Sequence, residues 1–319
     1  MVFGKSQRKT RKVPHIARAF KDLGHDTLWL NPSTIRRWMR IWADTYILQR
    51  IYSFNPDIVF IFSQDIPLPV LEKISAEKKI KIVLFYVDWR PEILTTLIER
   101  GKLVDLFLVT SKGLLEDYRQ AGIRNPIYFT DACDTYDHKR QRPILPIWKS
   151  DVAFIGEARP NESRVNIVSK LKESCTVKVY GNNWDDFHIR PTLKSVGPRA
   201  YRLICGGAKI VLGADIVNFI DGYWSNRLWL TLGCGGFLLT NYVRGLEDLF
   251  ENRKHLVWYH DEEECFALVK EFLAKPEERK RIANTGYIYV HEHHTFHHFV
   301  DKVLALCDTI QKGEYKYGE

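Results

Sequence analysis

Strand-sized apolar runs alternate with amphipathic stretches along the whole chain, and no other feature limits its fold as severely. "TLWLN" (27–31), "DIVFIF" (57–62), "KIVLFYV" (81–87), "DLFLVT" (105–110) and "IYFTD" (127–131) read as strands, with "MVFG" a short first one. Helical patterns lie between them, such as "VPHIARAFKDLG", bounded by Pro14 and Gly24. Apolar runs of this kind, spaced by helices, imply parallel strands buried on both faces. The rhythm breaks once, at "KRQRPILPIWKS" (139–150), where two prolines and a charge cluster read as a linker. It then resumes with "DVAFIG" (151–156), "VKVYG" (177–181), "KIVLGA" (209–214), "GFLLT" (236–240) and "HLVWY" (255–259). Closing helices start at Pro276 and at about Thr295. The expected fold class is α/β, with two Rossmann-like domains facing across a cleft. Residues 1–145 form the first domain and 146–295 the second. Residues 296–319 are a C-terminal helix and tail that packs back toward the first.

The charge is uneven. Residues 1–150 hold 25 Lys and Arg against 16 Asp and Glu, whereas residues 151–319 hold 22 against 23. The excess runs from "KSQRKTRK" to "IRRWMR", and a local excess steers an anionic partner. No nucleic-acid recognition motif accompanies it, so nucleic acid is not an expected partner. The apolar run "IKIVLFYV" from Ile80 is strand-sized and contains Lys81, so no segment reads as bilayer-spanning. No apolar stretch follows the basic N-terminus as a secretory signal would require. The six scattered cysteines suit free thiols, and the location expected is the cytoplasm.

In open α/β sheets, ligands bind outside the carboxyl ends of the strands. Four such loops in the second half carry groups suited to a nucleotide. "FIGEARPNESR" supplies Gly156, Arg159 and Arg164, and "VYGNNW" supplies Gly181, Asn182 and Trp184. "WSNRLWLTLGCGG" opens a helix with Ser225, Asn226 and Arg227 and ends it at Gly235. "NYVRGLEDLF" brings Arg244 and Glu247. A helix N-terminus accepts phosphate through free N–H groups, Arg227 adds a charge-assisted donor, and Glu247 can accept ribose hydroxyls. An Arg at a helix start opposes the dipole unless an anion compensates it. Each feature also has a structural reading. Gly156 and Gly181 suit turns, Ser225 or Asn226 suits an N-cap, and Trp184 suits packing.

The stretch "SNRLWLTLGCGGFLLTN…GLEDLF…HLVWYHDEEE", with its surroundings from about residue 150 to 305, resembles the CgeB-like (spore maturation protein-type) glycosyltransferases of GT-B architecture. The resemblance implies a metal-independent enzyme without cofactor that takes a nucleotide-diphosphate sugar, UDP- or GDP-linked, in its second domain. It implies an acceptor held by the first. Relatives have a Glu where this chain has Leu230, which leaves ribose binding to Glu247 or a backbone group. Two alternatives therefore stay open: a catalytically inactive nucleotide-binding protein of the same fold, and a nucleotide-sugar epimerase.

Transfer to a hydroxyl needs a base to take its proton. Asp88, ending the most apolar strand in "FYVDWR", is the first candidate and His15 the second; Asp65, Asp131 and Asp134 also fall at strand ends. Asp88 also reads as the N-cap of a helix starting at Pro91, the commoner role of an Asp at such a position. Gly4, Lys5 and Arg8, after the first strand, would face an anionic or lipid-linked acceptor. Residues 33–50 read as one helix with Ile35, Trp38, Met39, Trp42 and Tyr46 on one face and Arg36, Arg37 and Arg40 beside it. That face suits either the core or peripheral contact with the inner membrane surface. "HEHHTFHH" (291–298) lacks the spacing of a zinc protease motif and reads as a helix start, so no metal is expected.

Overall fold

A computed structural model describes residues 1–5, 12–159 and 163–311. The chain divides into two units: Met1–Asp131 with the C-terminal segment from Phe296, and Ala132–Thr295. In the first unit the order is β1 (Val2–Phe3), α1 (Lys12–Asp22), β2 (Trp29–Leu30), α2 (Pro32–Met39), α3 (Ala43–Phe54), β3 (Ile58–Phe62), α4 (Leu68–Glu77), β4 (Lys81–Tyr86), α5 (Thr95–Gly101), β5 (Leu106–Val109), α6 (Leu115–Gln120) and β6 (Pro126–Tyr128). These strands form one parallel sheet in the order β2-β1-β3-β4-β5-β6. The central runs are buried on both faces, as their unbroken apolarity requires: Val59, Phe60 and Ile61, then Ile82 to Tyr86.

The second unit contains β7 (Ser150–Ile155), α7 (Ser163–Leu171), β8 (Val177–Tyr180), α8 (Pro198–Gly207), β9 (Ala208–Leu212), α9 (Arg227–Gly233), β10 (Leu238–Asn241), β11 (Val257–Tyr259), α10 (Glu262–Ala274) and α11 (Pro276–His293). Its parallel sheet runs β11-β10-β9-β7-β8. The last helix, α12 (Phe296–Gln311), returns to the first unit, where Phe299 packs edge-on to Phe85 at 5.0 Å and Phe129 at 4.8 Å.

Local chemistry moves several expected boundaries. Residues 33–50 are not one helix. Asn31 caps α2 by accepting the Thr34 N–H, Pro32 sets its first turn, and Arg40 ends it with φ 49°. A single 3-10 turn, Arg40–Trp42, then leads into α3. No helix starts at Pro91; α5 begins at Thr95, so Asp88 caps nothing. The stretch 139–150 is no linker, because the second unit already begins at Ala132. Ile144 and Trp148 abut Gly206 and Gly207 at the end of α8, where a side chain would not fit.

Candidate functional site

In the second unit β8 lies on one side of β7, while β9, β10 and β11 lie on the other. The chain therefore reverses its direction of travel between β7 and β9, and open sheets receive ligands outside the carboxyl ends at such a reversal. The loops leaving β7, β8, β9 and β10 all carry residues singled out from the sequence.

The first two loops lock onto each other. Gly181, with φ 142°, follows β8 so closely against Gly156 that a Cβ would collide with the Gly156 carbonyl oxygen. Trp184 is fully buried, edge-on to Phe154 at 5.4 Å, and donates from Nε1 to the same oxygen at 2.8 Å. Its ring cannot stack on a base, because packing occupies it. Arg164 is likewise buried. It donates from Nη1 to the Glu157 carbonyl at 2.7 Å and from Nη2 to the Ala214 carbonyl at 3.1 Å. It ties the β7 loop to the β9 loop, which corrects its expected place as a donor ligand.

The helix-start hypothesis is corrected more deeply. Arg227 does have a compensating anion, but that anion is internal: Nη1 donates to Asp215 Oδ1 at 3.1 Å, and both side chains are only 10% exposed. Arg227 Nε donates to the Ile155 carbonyl at 2.6 Å, and the guanidinium lies 5.0 Å from the Phe154 ring centre. A side chain at Gly156 would meet Arg227 Nη2 at 2.8 Å, so the glycine makes room for the arginine. Asp215 Oδ2 also accepts the Ser225 N–H at 2.9 Å, and Ser225 Oγ accepts the Arg227 N–H at 3.2 Å. Asn226 makes no side-chain capping bond, and α9 is only seven residues long. A protein carboxylate thus takes the place expected for pyrophosphate against Arg227.

Other expected groups stay accessible at this edge. Arg159 is exposed, Asn182 half-buried with Nδ2 donating to Glu157 Oε1 at 3.3 Å, and Asn226 half-buried. Glu247 is exposed, and both its oxygens are oriented by the β10 loop: Tyr242 Oη donates to Oε1 at 2.8 Å and the Gly245 N–H to Oε2 at 3.0 Å. Partial burial opposes its charge, but hydrogen bonds from its own N–H, Tyr242 and Gly245 outweigh that and hold its pKa below the usual range. Gly235 lies elsewhere. It follows α9 with φ 72°, before β10 begins, where a side chain would strike Arg140 at 2.6 Å. It serves the helix end and the amino edge of the sheet. Leu230 joins the apolar cluster around Tyr201, Ile204 and Val211.

In the first unit, Gly4 lets α1 press on β1, since a side chain there would meet Val13 at 2.5 Å, and its carbonyl accepts Trp29 Nε1 at 3.0 Å. Lys5 stays half-exposed beside Asp65, to which its N–H donates at 2.8 Å. Arg8 lies outside the described residues. Asp88 is exposed after β4, whereas His15 is buried on α1 with its ring 5.7 Å from Phe296, which removes it from the accessible candidates. Asp131 pairs with Lys12, and Asp134 accepts the N–H groups of Tyr136 and Asp137. The histidine run disperses. His291 faces the Gly233 carbonyl, His294 is buried 5.0 Å from Trp229, and His297 meets Asp22 at 3.0 Å.

Sequence reasoning missed Asp215 and Tyr242. Asp215 follows "KIVLGA" directly, so the strand-end rule that selected Asp88 would have found it. It also missed a groove of about 720 Å³ at the opposite, amino edge of β7 and β9, lined by Arg142, Ile144, Lys149, Asp151 and Lys209.

Comparison with known proteins agrees with this architecture. A family described as glycosyl transferase-like matches residues 162–305. No curated protein matches the sequence. Among solved structures, Anabaena Alr3699/HepE in complex with UDP-glucose is similar with TM-score 0.63 at 13% identity, over 84% of this chain and 82% of that one. A glycosyltransferase from Rickettsia africae ESF-5 gives TM-score 0.63 at 13% identity, over 94% of each chain. Sucrose-phosphate synthase (tll1590) from Thermosynechococcus elongatus gives 0.60 at 9% identity, over 86% of this chain and 80% of that one. The match and the likeness support sugar transfer as the class of chemistry; the CgeB-like subfamily is not among the findings. The chain has the two-domain α/β fold of GT-B glycosyltransferases, with a glycosyl transferase-like match over most of its second unit.

Proposed function

We propose that the protein transfers a sugar from a nucleotide-diphosphate donor, UDP- or GDP-linked, to an anionic or lipid-linked acceptor, without a metal. One observation carries the reading: the glycosyl transferase-like match spans the loops after β8, β9 and β10, which form the carboxyl edge where the second sheet reverses. Glu247, held ionised and oriented, accepts donor hydroxyls. Asn182 and Asn226 offer neutral amides. With Arg227 neutralised by Asp215 in a buried pair, the diphosphate charge falls to Arg159 and Arg244, both exposed, the latter in a loose, solvent-exposed pair with Asp221 at 3.6 Å. Arg227 is a positioning residue that fixes α9 against β7. Asp88 is the proposed base: it takes the acceptor hydroxyl proton as that oxygen bonds the anomeric carbon and the nucleoside diphosphate departs.

Melting curves of the pure protein with UDP, UDP-glucose, GDP and GDP-mannose test the donor site. One nucleotide series raises Tm, and Glu247→Ala weakens that ligand about tenfold, the loss expected for a charged hydrogen bond. No shift with any of them ends the reading. Leu230 and the Asp215 ion pair favour a second reading, a nucleotide-binding protein without turnover. It predicts the same Tm shift with no donor hydrolysis and no glycosylated product.

A further inference from the structure

The segment joining α2 to α3 leaves its largest apolar side chains in water. Trp38 is 78% exposed, Ile41 85% and Trp42 65%, and Met39 beside them is also exposed. The sequence places Trp38, Met39 and Trp42 on one face of a continuous helix that could have covered the core. The turn at Arg40, with φ 49° and ψ −116°, prevents this, because it stops α2 at Met39, and of the larger apolar side chains of α2 Ile35 packs against the first unit's core. Four large apolar groups within five residues, two of them tryptophans, form a patch that soluble surfaces seldom carry without a partner. Three arginines are interleaved with them. Arg36 lies 3.5 Å from Asp44, while Arg37 and Arg40 are exposed and make no ion pair among the described residues.

We propose that this turn docks the first unit on a lipid bilayer bearing anionic headgroups. Tryptophan has an apolar ring and a polar N–H, which suits the boundary between headgroups and acyl chains. Ile41 and Met39 supply the purely apolar part. Arginine donates bidentately to lipid phosphate and is attracted by the surface potential. Charge complementarity selects this occupant over a second copy of the chain, since a self-complementary contact would bring two sets of arginines together. Among the described residues no helix is long and apolar enough to cross a membrane, so contact at this turn is interfacial. The inference does not depend on the sugar-transfer reading, although a bilayer would concentrate a lipid-linked acceptor.

Co-sedimentation of the full chain with phosphatidylcholine vesicles, with and without phosphatidylglycerol, tests it. The protein pellets with the anionic vesicles, and tryptophan emission shifts to the blue. Trp38→Ser with Trp42→Ser reduces binding by at least about tenfold. Arg37→Gln reduces it about fivefold and only for anionic vesicles. Both variants keep wild-type melting curves and nucleotide-induced Tm shifts, which separates this test from that of the donor site. Equal pelleting of wild type and the double tryptophan variant overturns the proposal. So does a dimer, or a complex with a single-stranded oligonucleotide, that the same variant abolishes while no vesicle binds.

Discussion

The carboxyl edges of the two sheets carry similar polar residues and use them differently. In the second unit, strand-end groups mostly satisfy one another: Trp184 and Gly181 close on Gly156, Arg164 joins two loops, and Arg227 with Ser225 encloses Asp215. In the first unit Lys5 and Asp88 remain exposed. The contrast teaches that an arginine at a strand end or helix start is not by itself a ligand. A buried guanidinium must have a protein anion or carbonyl groups around it, and Arg227 has both. What stays accessible at the second edge is an outer layer of Glu247, Arg159, Arg244, Asn182 and Asn226.

Substitutions can break this comparison. The largest effect is expected for Arg227→Leu, which strands Asp215 among buried neighbours and lowers stability by about 3–5 kcal/mol. Adding Asp215→Leu recovers part of that loss, read by urea denaturation as a non-additive cycle. Asp88→Asn, at the exposed edge, shifts stability by less than about 0.5 kcal/mol. Equal effects at the two positions would erase the distinction. Gly181→Ala follows, at about 1–3 kcal/mol, because both its φ and the Gly156 oxygen resist a side chain. Gly4→Ala meets only the Val13 side chain and belongs at the lower end of the overpacking range, about 1 kcal/mol.

Trp184→Phe sharpens the comparison further. It removes the bond to Gly156, lowers stability by about 1 kcal/mol and leaves nucleotide affinity unchanged, as titration calorimetry would register. A loss of affinity without loss of stability would return Trp184 to the site. A small effect also lies away from both edges. Glu271 is held to about 2, below its ordinary 4.5, first by hydrogen bonds from Arg253 and Lys275. A lowered folded pKa gives stability that is complete above the ordinary value and is lost as pH falls through the folded one. The stability difference between wild type and Glu271→Gln, read from melting curves at each pH, therefore shrinks between pH 5 and pH 2 and stays under about 1 kcal/mol for so exposed a pair.

Much of the fold was legible from pattern. Period and length identified the central strands "DIVFIF", "KIVLFYV" and "DVAFIG" within one residue or so, because strands buried on both faces must be apolar throughout. The candidate site was legible as a set of loops, since strand ends are read from the same pattern. Its chemistry was not. Whether Arg227 meets a ligand depends on Asp215, a residue 12 positions away whose carboxylate reaches the helix start only after β7 and β9 pair. Likewise the apolar face of 33–50 was visible in the helical period, but its exposure was not. One residue with a positive φ, Arg40, ends α2 and redirects it.

Sequence by itself therefore determined the parallel α/β architecture and the loops at which polar groups collect, because hydrophobic burial follows local periodicity. Tertiary structure alone decided which of those groups neutralise each other and which still face water. Charge pairing and burial are set by distances of a few ångströms between segments far apart in the chain, and no local pattern encodes those distances.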